Sequence, residues 1–445
     1  MRTQKMIEKP NETMQVNKTD CGNKTDHANK LNNDCSFSER IMSVQPSFIR
    51  EILKAAGDPN VISFAGGLPD KCLFPTEPLK ECMQKVMQTE AESVLQYGGS
   101  EGEDSLRNYL SEYYQRYYHL HVPVENILIT NGSQQGLDLL GKVLINKNDN
   151  VVIESPGYLG AIQSMAIYQP HFLPIPMEQD GMNVSQLKQG LKTPAKLLYC
   201  VPDFQNPTGY SYTIENKQAI AEAIEGSGCL IVEDNPYAMI RFTKTRLSTF
   251  YQWLPEQTIM LGSFSKTIAP GLRIGWVVAP DPMMRKLVIA KQAADLHTSR
   301  LSQRVITEYV RNYDFDDHVE LVSSTYSKRA KLMGEVLDDH FGDRIKRSFP
   351  SGGMFMWTEF NDPIDTMRLA PIAARNGVVF VPGAAFYPDK GLCSDNLHPV
   401  SYPVAHPRDS YNSMRLNFSC ASDEQILEGV RRLSQSVKEE REING

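Results

Sequence analysis

The chain has 445 residues, 41% hydrophobic and 22% charged, a composition suited to a globular protein of two or three domains. Its formal net charge of −7 argues against a nucleic-acid binder, which needs a basic face, and no window approaches the run of about 20 apolar residues that a membrane helix requires. The N-terminus lacks the apolar stretch of a signal peptide, and the eight cysteines are scattered without CxxC pairs or a His partner at metal spacing, so the expectation is a cytoplasmic protein with structural thiols and no metal site.

In chain order, residues 1–36 are rich in Asn, Lys, Thr and Asp and have almost no apolar periodicity, which predicts a disordered polar arm. The Asn-x-Thr triplets at Asn11, Asn17 and Asn23 are short enough to recur by chance in such a segment. A helix opening follows at Gln45-Pro-Ser-Phe-Ile-Arg, then an extended segment from Val61 that ends in a Gly-Gly-x-Pro turn. Seven short apolar runs begin at Ile127, Val151, His171, Leu197, Leu230, Ile259 and Ile274, most separated by helix-length segments. That alternation predicts an α/β fold whose mainly parallel sheet is covered on both faces. The last two runs are too close for a parallel crossover, so the seventh strand is predicted antiparallel. Helical patterns then run from Met283 to about Asp314 and from Asp317 to about His340. Strand-like segments at Gly353, Gly377 and Ser413 and a last helix from about Asp423 predict a smaller α+β domain. The expected division is an arm over 1–36, an N-terminal part of the small domain over 37–70, a large domain over 71–325 and the small domain over 326–445.

The chemistry-bearing residues sit after the predicted strands. Gly262-Ser263-Phe-Ser265-Lys266, followed by Arg273, joins an amine to hydroxyls and a guanidinium, groups able to form an imine and to sit beside a phosphate. Taken alone, Lys266 reads as a solvated surface lysine. Asp234 closes a buried strand and can pair with a protonated pyridine nitrogen, with Tyr237 three residues on; the same Asp-Asn-Pro is also a common turn. Asn206 follows a strand within Gln-Asn-Pro-Thr-Gly, either as an amide donor or as a plain turn residue. Ser133 opens a helix after the first strand, as a phosphate ligand or as an N-cap. All lie at strand C-termini, where an open α/β sheet places its ligand.

Together with Pro46-Ser-Phe-Ile-Arg50, Phe64-Ala-Gly-Gly-Leu-Pro69, Leu95-Gln-Tyr97-Gly, Gly132-Ser-Gln-Gln-Gly136 and Asp295-Leu-His-Thr-Ser, these motifs resemble the class I/II aminotransferases. The likeness spans about residues 43 to 440 and is strongest to the branch of 2-aminoadipate and kynurenine aminotransferases. It implies the aspartate-aminotransferase-like fold type I, with pyridoxal 5'-phosphate as cofactor and an amino acid and a 2-oxo acid as substrates. By the same resemblance Lys266 is the Schiff-base lysine, Asp234 the partner of the pyridine nitrogen, and Asn206 and Tyr237 the donors to the phenolic oxygen. Tyr158 stacks on the ring. Ser133, Gln134, Ser263, Ser265 and Arg273 hold the phosphate, and Tyr97 reaches it from a neighbouring subunit, which implies a homodimer with shared active sites.

Arg415 matches the arginine that grips the substrate α-carboxylate, a task suited to its planar fork, although a surface strand arginine looks the same in sequence. Gly67 offers backbone contact near that carboxylate. Arg50 matches the arginine that faces a distal carboxylate in the aminoadipate branch, which favours acidic donors, and reads equally as a solvated helix residue. The segment from about Asp389 to Tyr411 departs from the family, as a lid over the site or as a surface excursion. A decarboxylase, racemase or lyase would share the same lysine and aspartate. A transcriptional regulator of this fold would need a DNA-binding module, for which the N-terminal arm is short and unpatterned.

Overall fold

The computed structural model describes residues 37–42, 60–244, 247–388 and 411–444. The expected disordered arm, Arg50 and all of the 389–411 segment except Tyr411 lie outside these residues. Met1–Ser43 and Val44–Gly445 form separate compact units, and the described part of the first holds one short helix, Glu39–Met42.

Among the described residues of the second unit come first strand β1 (Ile62–Ser63), helices α1 (Thr76–Thr89) and α2 (Asp104–Tyr118), strand β2 (Ile127–Thr130) and helix α3 (Ser133–Leu144). It continues through β3 (Asn150–Ser155), α4 (Leu159–Ala166), β4 (His171–Glu178), β5 (Gly181–Met182), β6 (Leu197–Cys200) and α5 (Ile214–Ile224). Then come β7 (Leu230–Asp234), β8 (Thr258–Ser263) and β9 (Gly275–Val278). The main sheet has the order β2-β9-β8-β7-β6-β3-β4-β5. All seven expected strands are present, and the eighth, β5, is a two-residue antiparallel addition to β4 at the edge. β4, β3, β6, β7 and β8 are parallel neighbours, whereas β9 runs antiparallel to both β8 and β2, as the short connection required.

These strands are apolar throughout because both faces are covered. β2 and β9 are buried at every residue, and Leu197, Leu198 and Tyr199 of β6 have no exposed surface. Each such Val, Leu or Ile contributes about 1.5–3 kcal/mol by leaving water.

The long helical pattern after Pro280 is not continuous. It divides into α6 (Asp281–Asp295) and α7 (Arg300–Asn312), because Leu296 takes a left-handed φ of 68°. Thr298 donates its hydroxyl to the Ile129 carbonyl, and Ser299 caps α7 by accepting from the Ser302 N–H. Helix α8 (Phe315–Phe341) follows, capped by Asp314.

Strands β10 (Ile345–Arg347) and β11 (Phe355–Phe360), helix α9 (Thr366–Arg375), strands β12 (Val378–Val379), β13 (Val381–Pro382) and β14 (Ser413–Asn417), and helix α10 (Asp423–Asn444) complete the described residues. β10, β11, β14 and β13 make an antiparallel sheet, and β1 pairs in parallel with β12. The chain just after β1 is thereby tied to the C-terminal elements: the Asn417 N–H donates to the Phe64 carbonyl. No helix among the described residues is long and apolar enough to cross a membrane.

Candidate active site

Parallel strands β3, β6, β7 and β8 deliver their C-terminal ends to one edge of the sheet, and antiparallel β9 brings its N-terminal end to the same place. Tyr158, Asn206, Asp234, Lys266 and Arg273 are all carried there by the connections at those ends.

Asp234 is the last residue of β7 and 1% exposed. Its Oδ2 accepts from the Tyr199 hydroxyl at 2.9 Å, while Oδ1 is buried without a hydrogen-bond partner. Burial pushes this carboxyl up to about 7, and the Tyr199 hydrogen bond opposes the shift. A buried acceptor left open is costly. A protonated pyridine nitrogen supplies the missing donor together with a compensating charge, so the residues present fit that ring.

Lys266 lies in the turn after β8, with Nζ donating to the Gly67 carbonyl at 2.6 Å. Burial lowers its ammonium from 10.5 to about 8, and the nearby Arg415 guanidinium adds to the effect. In the cofactor-free protein Lys266 is therefore protonated below about pH 8 and a free amine above it. Competitive labelling with an amine-directed reagent should give Lys266 a reactivity midpoint near pH 8, whereas exposed lysines follow the ordinary value of about 10.4. A midpoint for Lys266 above 10 would contradict this environment.

Arg415 in β14 is 6% exposed and enters from the small sheet. One terminal nitrogen donates to Asn206 Oδ1 at 2.8 Å and the other to the Ala65 carbonyl at 2.5 Å, while its buried Nε has no partner. The guanidinium carbon lies 4.3 Å from the centre of the Phe355 ring and 5.0 Å from that of Phe386. Burial lowers it to about 10, so it is charged at neutral pH. Asn206 also bonds the Tyr237 hydroxyl, and the Tyr237 ring meets Phe355 edge-on. Arg415, Asn206 and Tyr237 thus form one connected group, and a carboxylate is the natural counter-charge for its cation.

The phosphate candidates cluster at β2, β8 and β9. Ser133 is the first residue of α3 and Gly132, at a φ of 77°, is its N-cap; no side chain caps this helix, so the N-cap alternative for Ser133 is replaced by an uncapped helix start suited to an anion. Gly275 of β9 lies against that start: a Cβ there would come within 2.6 Å of the Gly132 carbonyl carbon and the Ser133 nitrogen. Only glycine allows this approach. Arg273, itself left-handed with a φ of 55°, donates to the Asn131 carbonyl at 2.9 Å. The Ser263 and Ser265 hydroxyls are 2.9 Å apart.

Two candidates stand apart. Gln134 reaches the Gly160 carbonyl at 3.2 Å on an exposed flank. Tyr97 is 75% exposed and meets only the edge of His297 among rings, its own chain giving it no part in the group just described. Tyr199, Phe355 and Gln205 were not singled out by the sequence. A tyrosine inside the apolar strand Leu-Leu-Tyr-Cys signals a buried hydroxyl in need of a partner, and that was the available clue to Tyr199.

Residues 70–433 match the family model described as aminotransferase class I and II. The chain is 38% identical over 411 residues to aromatic-amino-acid aminotransferase 1 of Thermococcus litoralis, covering 91% of this chain and 94% of that protein. The structure of an alpha-aminoadipate aminotransferase from Thermus thermophilus, complexed with N-(5'-phosphopyridoxyl)-L-leucine, superposes with a TM-score of 0.82 at 34% identity, covering 92% and 98% of the two chains. That of a kynurenine aminotransferase from Pyrococcus horikoshii gives 0.83 at 35% identity, covering 91% and 97%.

Proposed function

The chain belongs to the class I and II aminotransferases, fold type I enzymes dependent on pyridoxal 5'-phosphate, and on that premise we propose the role of each site residue and the amino acids it takes. The bound cofactor supplies an aldehyde that condenses with amines and a cationic ring that withdraws electrons from the substrate Cα. Lys266 holds the cofactor and, once freed, carries a proton between the substrate Cα and the cofactor carbon that receives the amino group. Asp234 keeps the pyridine nitrogen protonated, and Tyr199 fixes the carboxylate's orientation. Asn206 and Tyr237 donate to the phenolic oxygen, and Tyr158 covers one ring face. Ser133, Gln134, Ser263, Ser265 and Arg273 hold the phosphate.

Arg415 binds the α-carboxylate in bidentate fashion, and Gly67 lies beside it. The observation that carries this reading is the open, buried Oδ1 of Asp234 at the same sheet edge as the Lys266 amine. The molecule acts as a cytoplasmic homodimer in which Tyr97 reaches the partner's phosphate; its 75% exposure here supports that role. The large domain runs over 71–325, and 60–70 with 326–445 form the small one.

Aromatic amino acids and 2-aminoadipate are the amino donors, glutamate included where Arg50 takes a distal carboxylate. The relatives' activities support this, as do Phe355 and Phe386 beside Arg415. Mixing the loaded enzyme with single amino acids tests it. Aromatic amino acids, 2-aminoadipate or glutamate should convert the cofactor to its amine form, seen as loss of visible absorbance, and a 2-oxo acid should restore it. Carbon dioxide release without that conversion would identify a decarboxylase instead.

A further inference from the structure

Glu154, near the end of β3, is fully buried, and no cation is among the groups that set its titration. Such a carboxylate is expensive to bury unless its oxygens are filled with donors. They are. Oε1 accepts from the Val201 N–H at 3.0 Å and the Tyr212 hydroxyl at 2.8 Å, and Oε2 accepts from the Gln205 amide at 3.0 Å. Gln205 is fully buried as well. Its Nε2 also donates to the Pro156 carbonyl at 2.8 Å, and its Oε1 accepts from the Thr208 N–H at 2.9 Å and hydroxyl at 2.6 Å.

This pair therefore spans two loops with separate tasks. Pro156 stands two residues before Tyr158, and Gln205 is the residue before Asn206. We propose that Glu154, acting through Gln205, is a positioning residue that fixes the spacing between the loop carrying Tyr158 and the loop carrying Asn206. It sets where the ring is stacked relative to where its phenolic oxygen receives a hydrogen bond. Because Asn206 also accepts from Arg415, the same clamp orients the guanidinium that meets the substrate carboxylate. Glu154's place suits an acceptor: three donors converge on it, and their hydrogen bonds oppose the burial that raises its carboxyl to about 7. Glutamine there would turn an amide N–H toward another donor and force the loops apart. The inference rests on the cofactor reading above.

The test uses the loaded Glu154→Gln enzyme. Weakening the donor to the phenolic oxygen should raise the pH midpoint of the visible absorbance change by about one unit, since a hydrogen bond that favours the charged form is lost. The KM for the amino acid should rise about tenfold, as loss of one charge-assisted contact implies. A purely structural role would lower the unfolding temperature and leave both readings unchanged. Tyr212→Phe, which removes one donor at nearly constant volume, should move both in the same direction by less, and it decides the matter if Glu154→Gln does not fold. If the folded variants bind cofactor with a wild-type midpoint and KM, the positioning role is wrong. If the wild-type protein itself gives no visible, pH-dependent absorbance with pyridoxal 5'-phosphate, the cofactor reading fails instead.

Discussion

Replacing Lys266 with Ala is expected to reduce turnover by about 10⁴-fold or more, because on the proposed role the amine that holds the cofactor and the group that moves the Cα proton disappear together. The fold should survive. Lys266 makes one described hydrogen bond, to the Gly67 carbonyl, and its burial as an ammonium is a cost to the cofactor-free protein. The sign follows from its lowered value: between about pH 8 and the ordinary 10.4 the unfolded chain binds more protons, so stability attributable to this group rises with pH across that window. Lys266→Ala should therefore unfold at the same temperature as the wild type or slightly higher at pH 7, and the gain should fade above pH 10. Steady-state assays with thermal unfolding of the cofactor-free proteins check both statements. A variant that unfolds early would make Lys266 a structural residue.

Asp234→Ala should lower kcat by roughly 10²–10³-fold, the loss typical of removing a preorganised charge from a closed site. Without the carboxylate no residue at the end of β7 would hold a proton on the pyridine nitrogen, on which the ring's electron withdrawal would depend. Asp234→Asn, equal in shape but unable to carry the charge, should be nearly as impaired. The two substitutions separate catalysis from folding through pH. Asp234 is held near 7 in the folded chain against 3.8 ordinarily, so the folded state binds the extra proton and stability falls as pH rises through that interval, by up to about 4 kcal/mol. The cofactor-free Asp234→Asn protein should thus unfold at a higher temperature than wild type at pH 8 and lose that advantage at pH 4. An equal difference at both pH values would mean that burial does not raise the Asp234 carboxyl in the free protein.

The large sheet was legible because strands buried on both faces must be continuously apolar, and Ile127, Val151, Leu197, Leu230 and Ile259 each open such a run. Their C-terminal ends then told where Asn206, Asp234 and Lys266 would meet. The break at Leu296 was hidden, because periodicity reads through a left-handed residue when apolar spacing resumes within four positions. So was the open oxygen of Asp234: sequence shows a carboxylate at a strand end but not that Tyr199 satisfies only one of its oxygens. The clamp of Glu154 and Gln205 was illegible for a related reason. Its donors come from residues 47 to 58 positions away along the chain, and no local pattern records a hydrogen bond over that distance.

Arg415 is a further case of this kind. In sequence it is one arginine in a strand, and only the packing of β14 beside β11 and β13 reveals that it is enclosed by Phe355, Phe386 and Asn206.

The central claim, that this amine carries the cofactor, is tested most directly by reducing the loaded protein with borohydride and mapping its peptides. The account predicts one phosphopyridoxyl adduct per chain, on Lys266, and none on the Lys266→Ala protein. An adduct on another lysine, or none under conditions where the enzyme turns over, would contradict it.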